Sequence, residues 1–213
     1  MLSSVPIPGN PWPHDMVITV EDDVQSLVDL LWVRETWNLK PAGDDLPPFL
    51  SATSVGADGG AASADKIARW QDAWPAMWEA CLHHAGQIRD GGLFEQLSGT
   101  ANGSIERAEL LHLLIGPSWR DMFGDEAFTD QHQVWNQAQF DEGFRGRPRL
   151  LEEEPERVSL AALIRAWQAG LSKIVVIPCR GSYTRVIGQH ALLVTAETRD
   201  DPERYTEALE QFQ

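Results

Sequence analysis

Tryptophans at positions 70, 74 and 78 are spaced four residues apart, which sets three indoles in one row along a helix. Ile67, Met77, Cys81, Ala85 and Ile88 extend that row, so the spacing predicts a helix over about 65–89. Side chains of this bulk require a large apolar counterpart, supplied either by the chain's own core or by a partner surface. Pro75 falls inside the row. Its ring removes one main-chain hydrogen bond and crowds the preceding turn, so a kink or break is expected near Trp74.

The rest of the chain supplies the elements that must pack on this helix. Residues 16–20 are short, apolar and β-branched, and read as a strand. Glu21, Asp22 and Asp23 then place carboxylates where a helix carrying Val24, Leu27, Val28, Leu31 and Trp32 should begin. Residues 41–64 are rich in Pro, Gly, Ala and Ser and read as a flexible loop. Ser104 is placed to cap a helix bearing Ile105, Ala108, Leu111 and Ile115, stopped by Gly116 and Pro117. Thr129 or Asp130 is placed to start another, with Val134, Trp135 and Ala138. Residues 141–155 look irregular, with arginines at 145, 147 and 149 facing glutamates at 152, 153 and 154.

The last third carries the clearest pattern. Leu160, Leu163, Ile164, Trp167 and Leu171 form a helical stripe, and Ile174–Ile177 an apolar run suited to a buried strand. Residues 183–187 and 191–196 read as a hairpin turning at Gly188 and Gln189, or through a longer turn around His190. Asp201 and Pro202 open a final helix that turns Tyr205, Ala208, Leu209 and Phe212 inward. Together these predict an α+β fold. It is a helix-rich single domain over residues 1–213, with a small, mainly antiparallel sheet of strands near 16–20, 173–178, 183–187 and 191–196.

Charge limits the partners. Seventeen basic against 32 acidic residues leave a formal net charge of −15. Such a surface repels phosphate backbones and anionic lipid, so no nucleic-acid or membrane partner is expected. No apolar run approaches the ~20 residues of a membrane span. Cys81 and Cys179 are the only cysteines, the pattern of reduced thiols in a cytoplasm. The proline-containing start of the chain lacks the basic-then-apolar order of a secretory signal.

The strong local signatures of chemistry are absent from the sequence. There is no P-loop, no G-x-G-x-x-G, no G-x-S-x-G and no H-E-x-x-H, and two distant cysteines cannot build a zinc site. No catalytic residue, metal site or cofactor is assigned. His83 and His84 are adjacent on the predicted helix and diverge by about 100°. His112 is expected to be partly buried beside Ala108 and Ile115. The acidic runs are contiguous, unlike the spaced ligands of a calcium loop. The segment from Cys179 to Arg185 is the best candidate for a site, because it leaves the end of a buried strand. Arg180, Ser182, Tyr183, Arg185 and His190 there offer an anion-binding set, and Cys179–His190 or Ser182–His190 a conceivable nucleophile–base pair.

Two functional readings follow. The first is a non-catalytic protein-interaction module (an adaptor, inhibitor or immunity-like antagonist) that binds a basic protein partner, with Trp70, Trp74 and Trp78 as candidate interface residues. Packing of that row into the core is the competing role for the same indoles. The second is a small-molecule-binding protein or small enzyme using the 179–190 region. A homodimer through an apolar helix face is a further hypothesis. The residues carry no resemblance to a known family.

Overall fold

A computed structural model describes residues 9–51, 62–88, 91–145 and 149–212. In chain order the elements begin with β1 (Thr19–Glu21), α1 (Gln25–Thr36), α2 (Ala64–Ala85), α3 (Gly92–Gly99), α4 (Ile105–Ile115), α5 (Trp119–Phe123) and α6 (Asp130–Arg145). A 3-10 turn (Leu151–Glu153), α7 (Pro155–Val158), α8 (Leu160–Gln168) and β2 (Lys173–Ile177) follow. The chain ends with β3 (Thr184–Ile187), β4 (Ala191–Thr195), α9 (Ala196–Asp200) and α10 (Pro202–Glu210). The chain divides into two units: Met1–Asp23, Pro47–Ala52 and Asp141–Gln213 in the first, and Val24–Leu46 and Thr53–Phe140 in the second. The fold is α+β, with helices dominating a small four-stranded sheet.

The first unit is built on that sheet, whose strand order is β1-β2-β4-β3. β1 and β2 run parallel, β2 and β4 run parallel, and β3 and β4 form an antiparallel hairpin. The sheet is therefore mixed, which corrects the expectation of a mainly antiparallel one. The reason is a change of place: residues 178–183 carry the chain past the end of the sheet to its far edge. β4 then returns between β2 and β3 instead of continuing outward. The hairpin takes the longer turn, with Ile187 paired to Ala191 across residues 188–190 and Gly188 at φ +63°.

Alternation along the strands sets the core. Ile174 and Val176 of β2 share a face with Leu192 and Val194 of β4, and α8 and α10 cover it with Leu163, Ala166, Tyr205 and Leu209. β1 begins three residues later than the apolar run suggested, so that Glu21 joins the strand. Its Oε1 lies 3.6 Å from Nζ of the buried Lys173. The carboxylates at 21–23 consequently do not cap α1, whose N-cap is Val24.

The second unit is organised by α1 and α2. Ser26 to Arg34 of α1 are all buried, and Trp74 Nε1 donates to the Leu30 carbonyl at 2.8 Å. Trp74 stacks on Trp78 at 5.3 Å, while Trp70 meets Trp37 and Trp119 edge-on. α2 runs unbroken through Pro75, so of the expected kink or break no break occurs. Trp74 before the proline and Met77 and Trp78 after it are all buried, so both halves are anchored in the same core. Of the predicted loop at 41–64, residues 52–61 lie outside the described residues. No helix among the described residues is long and apolar enough to cross a membrane.

A buried ion pair fixes three helices of the first unit. Glu156 of α7 accepts Nε and Nη2 of Arg199 (α9) at 2.9 and 2.8 Å and the Tyr205 hydroxyl (α10) at 2.9 Å. Burial alone raises the Glu156 carboxyl, but the Arg199 hydrogen bonds and charge outweigh it and hold the group below its ordinary value. Tyr205 is pushed up, by burial first and then by the Glu156 charge. A depressed carboxyl contributes stability above its unfolded value of 4.5 and loses it as the pH falls from there through the folded value. Glu156→Gln should therefore cost about 3 kcal/mol at neutral pH, and the gap to the wild type should narrow below that value, as measured by urea unfolding across pH.

Candidate functional site

The loop between β2 and β3 is held by threonine hydroxyls. Thr195 ends β4 and Thr198 lies one turn into α9, both fully buried, with their Oγ1 atoms 2.7 Å apart. Thr195 Oγ1 donates to the Gly181 carbonyl at 2.7 Å, and Thr198 Oγ1 accepts the Tyr183 amide at 3.1 Å. Ser182 Oγ lies 3.2 Å from the same Thr198 hydroxyl, and Glu197 accepts the Gly181 amide at 2.8 Å. On the other side, Leu50 bridges Cys179, and the Arg180 Nε donates to the Leu50 carbonyl at 3.0 Å. These contacts give most of the polar groups in the loop an intramolecular partner.

The predicted site residues separate. Arg180, Ser182 and Tyr183 share the loop beyond the C-terminal ends of β2 and β4. Arg185 stands within β3 opposite Leu193, on the sheet face away from Ile174 and Val176. His190 precedes the first residue of β4, at the other end of the sheet, where Nδ1 lies 3.2 Å from the Gly170 carbonyl. Five residues of β4 span about 15 Å, so neither Cys179 nor Ser182 has His190 within reach. Neither the Cys179–His190 nor the Ser182–His190 pair forms. Trp70, Trp74 and Trp78 are enclosed in the second unit, none more than 2% exposed.

Both thiols are inaccessible. Cys179 is fully buried, and Cys81 donates to the Pro117 carbonyl at 3.2 Å. Burial pushes the Cys81 thiol up to about 11, helped by the nearby Asp121 and Asp29 charges and opposed by a Ser26 hydrogen bond. A thiol held protonated is a poor nucleophile at neutral pH. The native protein should release almost no thionitrobenzoate from Ellman's reagent at pH 8, and denaturant should bring both thiols into reaction.

A buried polar pair had no signature in the sequence. His132 Nε2 lies 3.0 Å from Asp29 Oδ1, which also accepts Gln25 Nε2 at 2.6 Å. Trp32 and Phe128 each flank the imidazole at 4.8 Å between ring centroids. Both side chains are buried, with the Arg120 Nε 4.0 Å from Asp29 Oδ2, which makes the pair a link between α1 and α6. No group of three or more metal-ligating side chains is assembled among the described residues. Asp29→Ala should leave the imidazole unpaired in that enclosure and cost about 1–3 kcal/mol, read from the thermal midpoint.

The surface feature that stands apart is the hairpin of α3 and α4. Neither helix has a buried residue. Leu93 and Leu97 of α3, and Arg107, Leu110, Leu111 and Leu114 of α4, are half-buried. On α4 these four fall on one face, which leaves Ile105, Ala108, His112 and Ile115 on the opposite stripe, all exposed. His112 is thus on the open stripe and not partly buried as expected. Ile105 is 79% exposed, Leu113 61%, Ile115 58% and Phe94 56%.

Local chemistry keeps the hairpin in shape despite its exposure. Ser104 caps α4 by accepting the Arg107 amide at 3.1 Å. The Arg107 guanidinium reaches back to the Leu97 carbonyl at 2.7 Å and to Thr100 Oγ1 at 3.3 Å, which closes the end of α3. At the other end, His84 of α2 has Nε2 3.1 Å from the Leu113 carbonyl. Gly116 takes φ +77°, and a Cβ there would lie 2.4 Å from the His84 ring. Glu95, Glu106 and Glu109 are exposed along the hairpin, and its one arginine, Arg107, is engaged within it.

Comparison with protein-family models, with curated proteins and with solved structures finds no match to this chain.

Proposed function

We propose that the protein is a non-catalytic interaction module whose α3–α4 hairpin docks a basic, amphipathic helix of a protein partner. The supporting observation is the open stripe Ile105–Ala108–His112–Ile115 on a hairpin with no buried residue. Monomeric proteins rarely leave large contiguous apolar patches open, and those they leave mark interaction sites. Charge selects the partner. Glu95, Glu106 and Glu109 border the apolar side chains, and the whole chain carries −15, so an apolar helix flanked by lysines or arginines satisfies both. A second copy would bring the same glutamates and the same net charge against themselves, which argues against self-association through this face.

The test uses a synthetic Leu/Lys amphipathic helix, its Leu/Glu counterpart, and the variant Ile105→Asp/Ile115→Asp. Both positions are exposed, so the variant should keep the wild-type melting midpoint. The Leu/Lys helix should bind the wild type, more weakly as salt rises, and lose tenfold or more (about 1.4 kcal/mol) in the variant. Equal binding of the Leu/Glu helix, or binding unchanged in the variant, would overturn the reading. So would a dimer seen by light scattering that the variant abolishes.

A further inference from the structure

We infer that a small cleft between the first turns of α2 and the end of α5 is a binding site for a small aryl carboxylate, independent of the hairpin surface. The cleft has a volume of about 200 Å³ and is lined by Lys66, Arg69, Trp70, Met122, Phe123 and Glu126. Residues 66, 69 and 70 share one face of α2 through their three- and four-residue spacing. A Ser118–Asp121 capping box starts α5 and Gly124 at φ +68° ends it, which sets Met122 and Phe123 opposite.

Each wall has a distinct chemistry. Met122 and Phe123 offer an apolar, polarisable surface that continues into the edge of Trp70, with the Phe123 and Trp70 rings 6.4 Å apart. Lys66 Nζ stands 5.7 Å from the centre of the Trp70 ring and pairs with Glu126, so those two charges cancel. Arg69 is exposed at the rim with no ion-pair partner among the described residues. The cleft therefore carries a net positive charge in a protein of net charge −15.

An uncommitted guanidinium beside aromatic and thioether groups suits a ligand with a flat apolar body and a carboxylate, which the guanidinium grips through two parallel hydrogen bonds. The volume falls below the roughly 300 Å³ of drug-sized pockets, which limits the ligand to about one ring. A neutral amide of the same shape would lose the charge and gain nothing from Arg69. A cation would meet Arg69 directly and be excluded.

The experiment titrates phenylacetate and phenylacetamide into the isotope-labelled protein and follows amide chemical shifts. Phenylacetate should shift amides around 66–70 and 122–126 saturably, and phenylacetamide at least tenfold more weakly. Arg69→Gln should weaken phenylacetate tenfold at an unchanged melting midpoint, while Arg165→Gln, remote in sequence and also exposed, should not. Equal binding of the amide, no loss in Arg69→Gln, an equal loss in Arg165→Gln, or shifts centred elsewhere would each overturn the assignment. Because none of these residues lies in the α3–α4 hairpin, the result is separable from that of the peptide titration.

Discussion

The position of β4 governs the first unit. Flanked by β2 on one side and β3 on the other, it satisfies its main-chain groups along both edges and is buried along its whole length. That position forces the β2–β3 connection to cross beyond the strand end. A crossing loop brings unpaired amides and carbonyls with it, and Thr195 and Thr198 meet them with two buried hydroxyls. The hydroxyls also meet each other, so strand end, loop and the start of α9 form one hydrogen-bonded corner. The loop that carries a thiol, a phenol and a guanidinium is thereby tied to the end of β4 and the start of α9.

The second unit solves a different problem. Its tryptophans are too large for a small bundle to leave unpartnered, and they fill the interior in a chain of edge-on contacts from Trp37 through Trp70 to Trp119, beside the stacked pair Trp74 and Trp78. Trp74 and Trp37 find carbonyl acceptors, at Leu30 and Ala127. With the interior claimed by indoles, α3 and α4 have no core of their own to enter. They pack on each other, and their shape rests on the Ser104 cap, the Arg107 closure and the His84–Gly116 contact. The apolar stripe left outside is a consequence of that order of packing.

Local patterns in the chain carried much of this architecture. The Trp row, the Leu160–Leu171 stripe, the apolar run at 174–177 and the Asp201–Pro202 helix start each encode an element through period or capping chemistry alone. What depends on distant partners was not legible. Nothing in residues 173–195 states that the last strand returns to the middle of the sheet. Nothing near Asp29 points to a histidine on another helix. For α4 the spacing reveals two apolar faces, Ile105–Ala108–Ile115 and Leu110–Leu111–Leu114, without saying which one is covered. The candidate anion set is divided for a related reason: residues 180 and 190 are close in sequence, yet a full strand separates them in space. Of the cleft residues only Trp70 stood out in the sequence, and nothing tied it to 122–126, because their relation arises from the packing of α2 on α5.

The parallel pairing of β1 with β2 has a consequence for synthesis. Lys173 emerges from the ribosome about 150 residues after its partner Thr19, which at about 5–20 residues per second is a delay on the order of ten seconds. Throughout that interval the β1 segment has no strand to join, while α1 to α5 emerge one after another and are complete about 50 residues before Lys173. The order of chain growth therefore favours a nascent state in which the tryptophan-filled unit condenses first. The sheet then closes last, on a strand that has waited since the beginning.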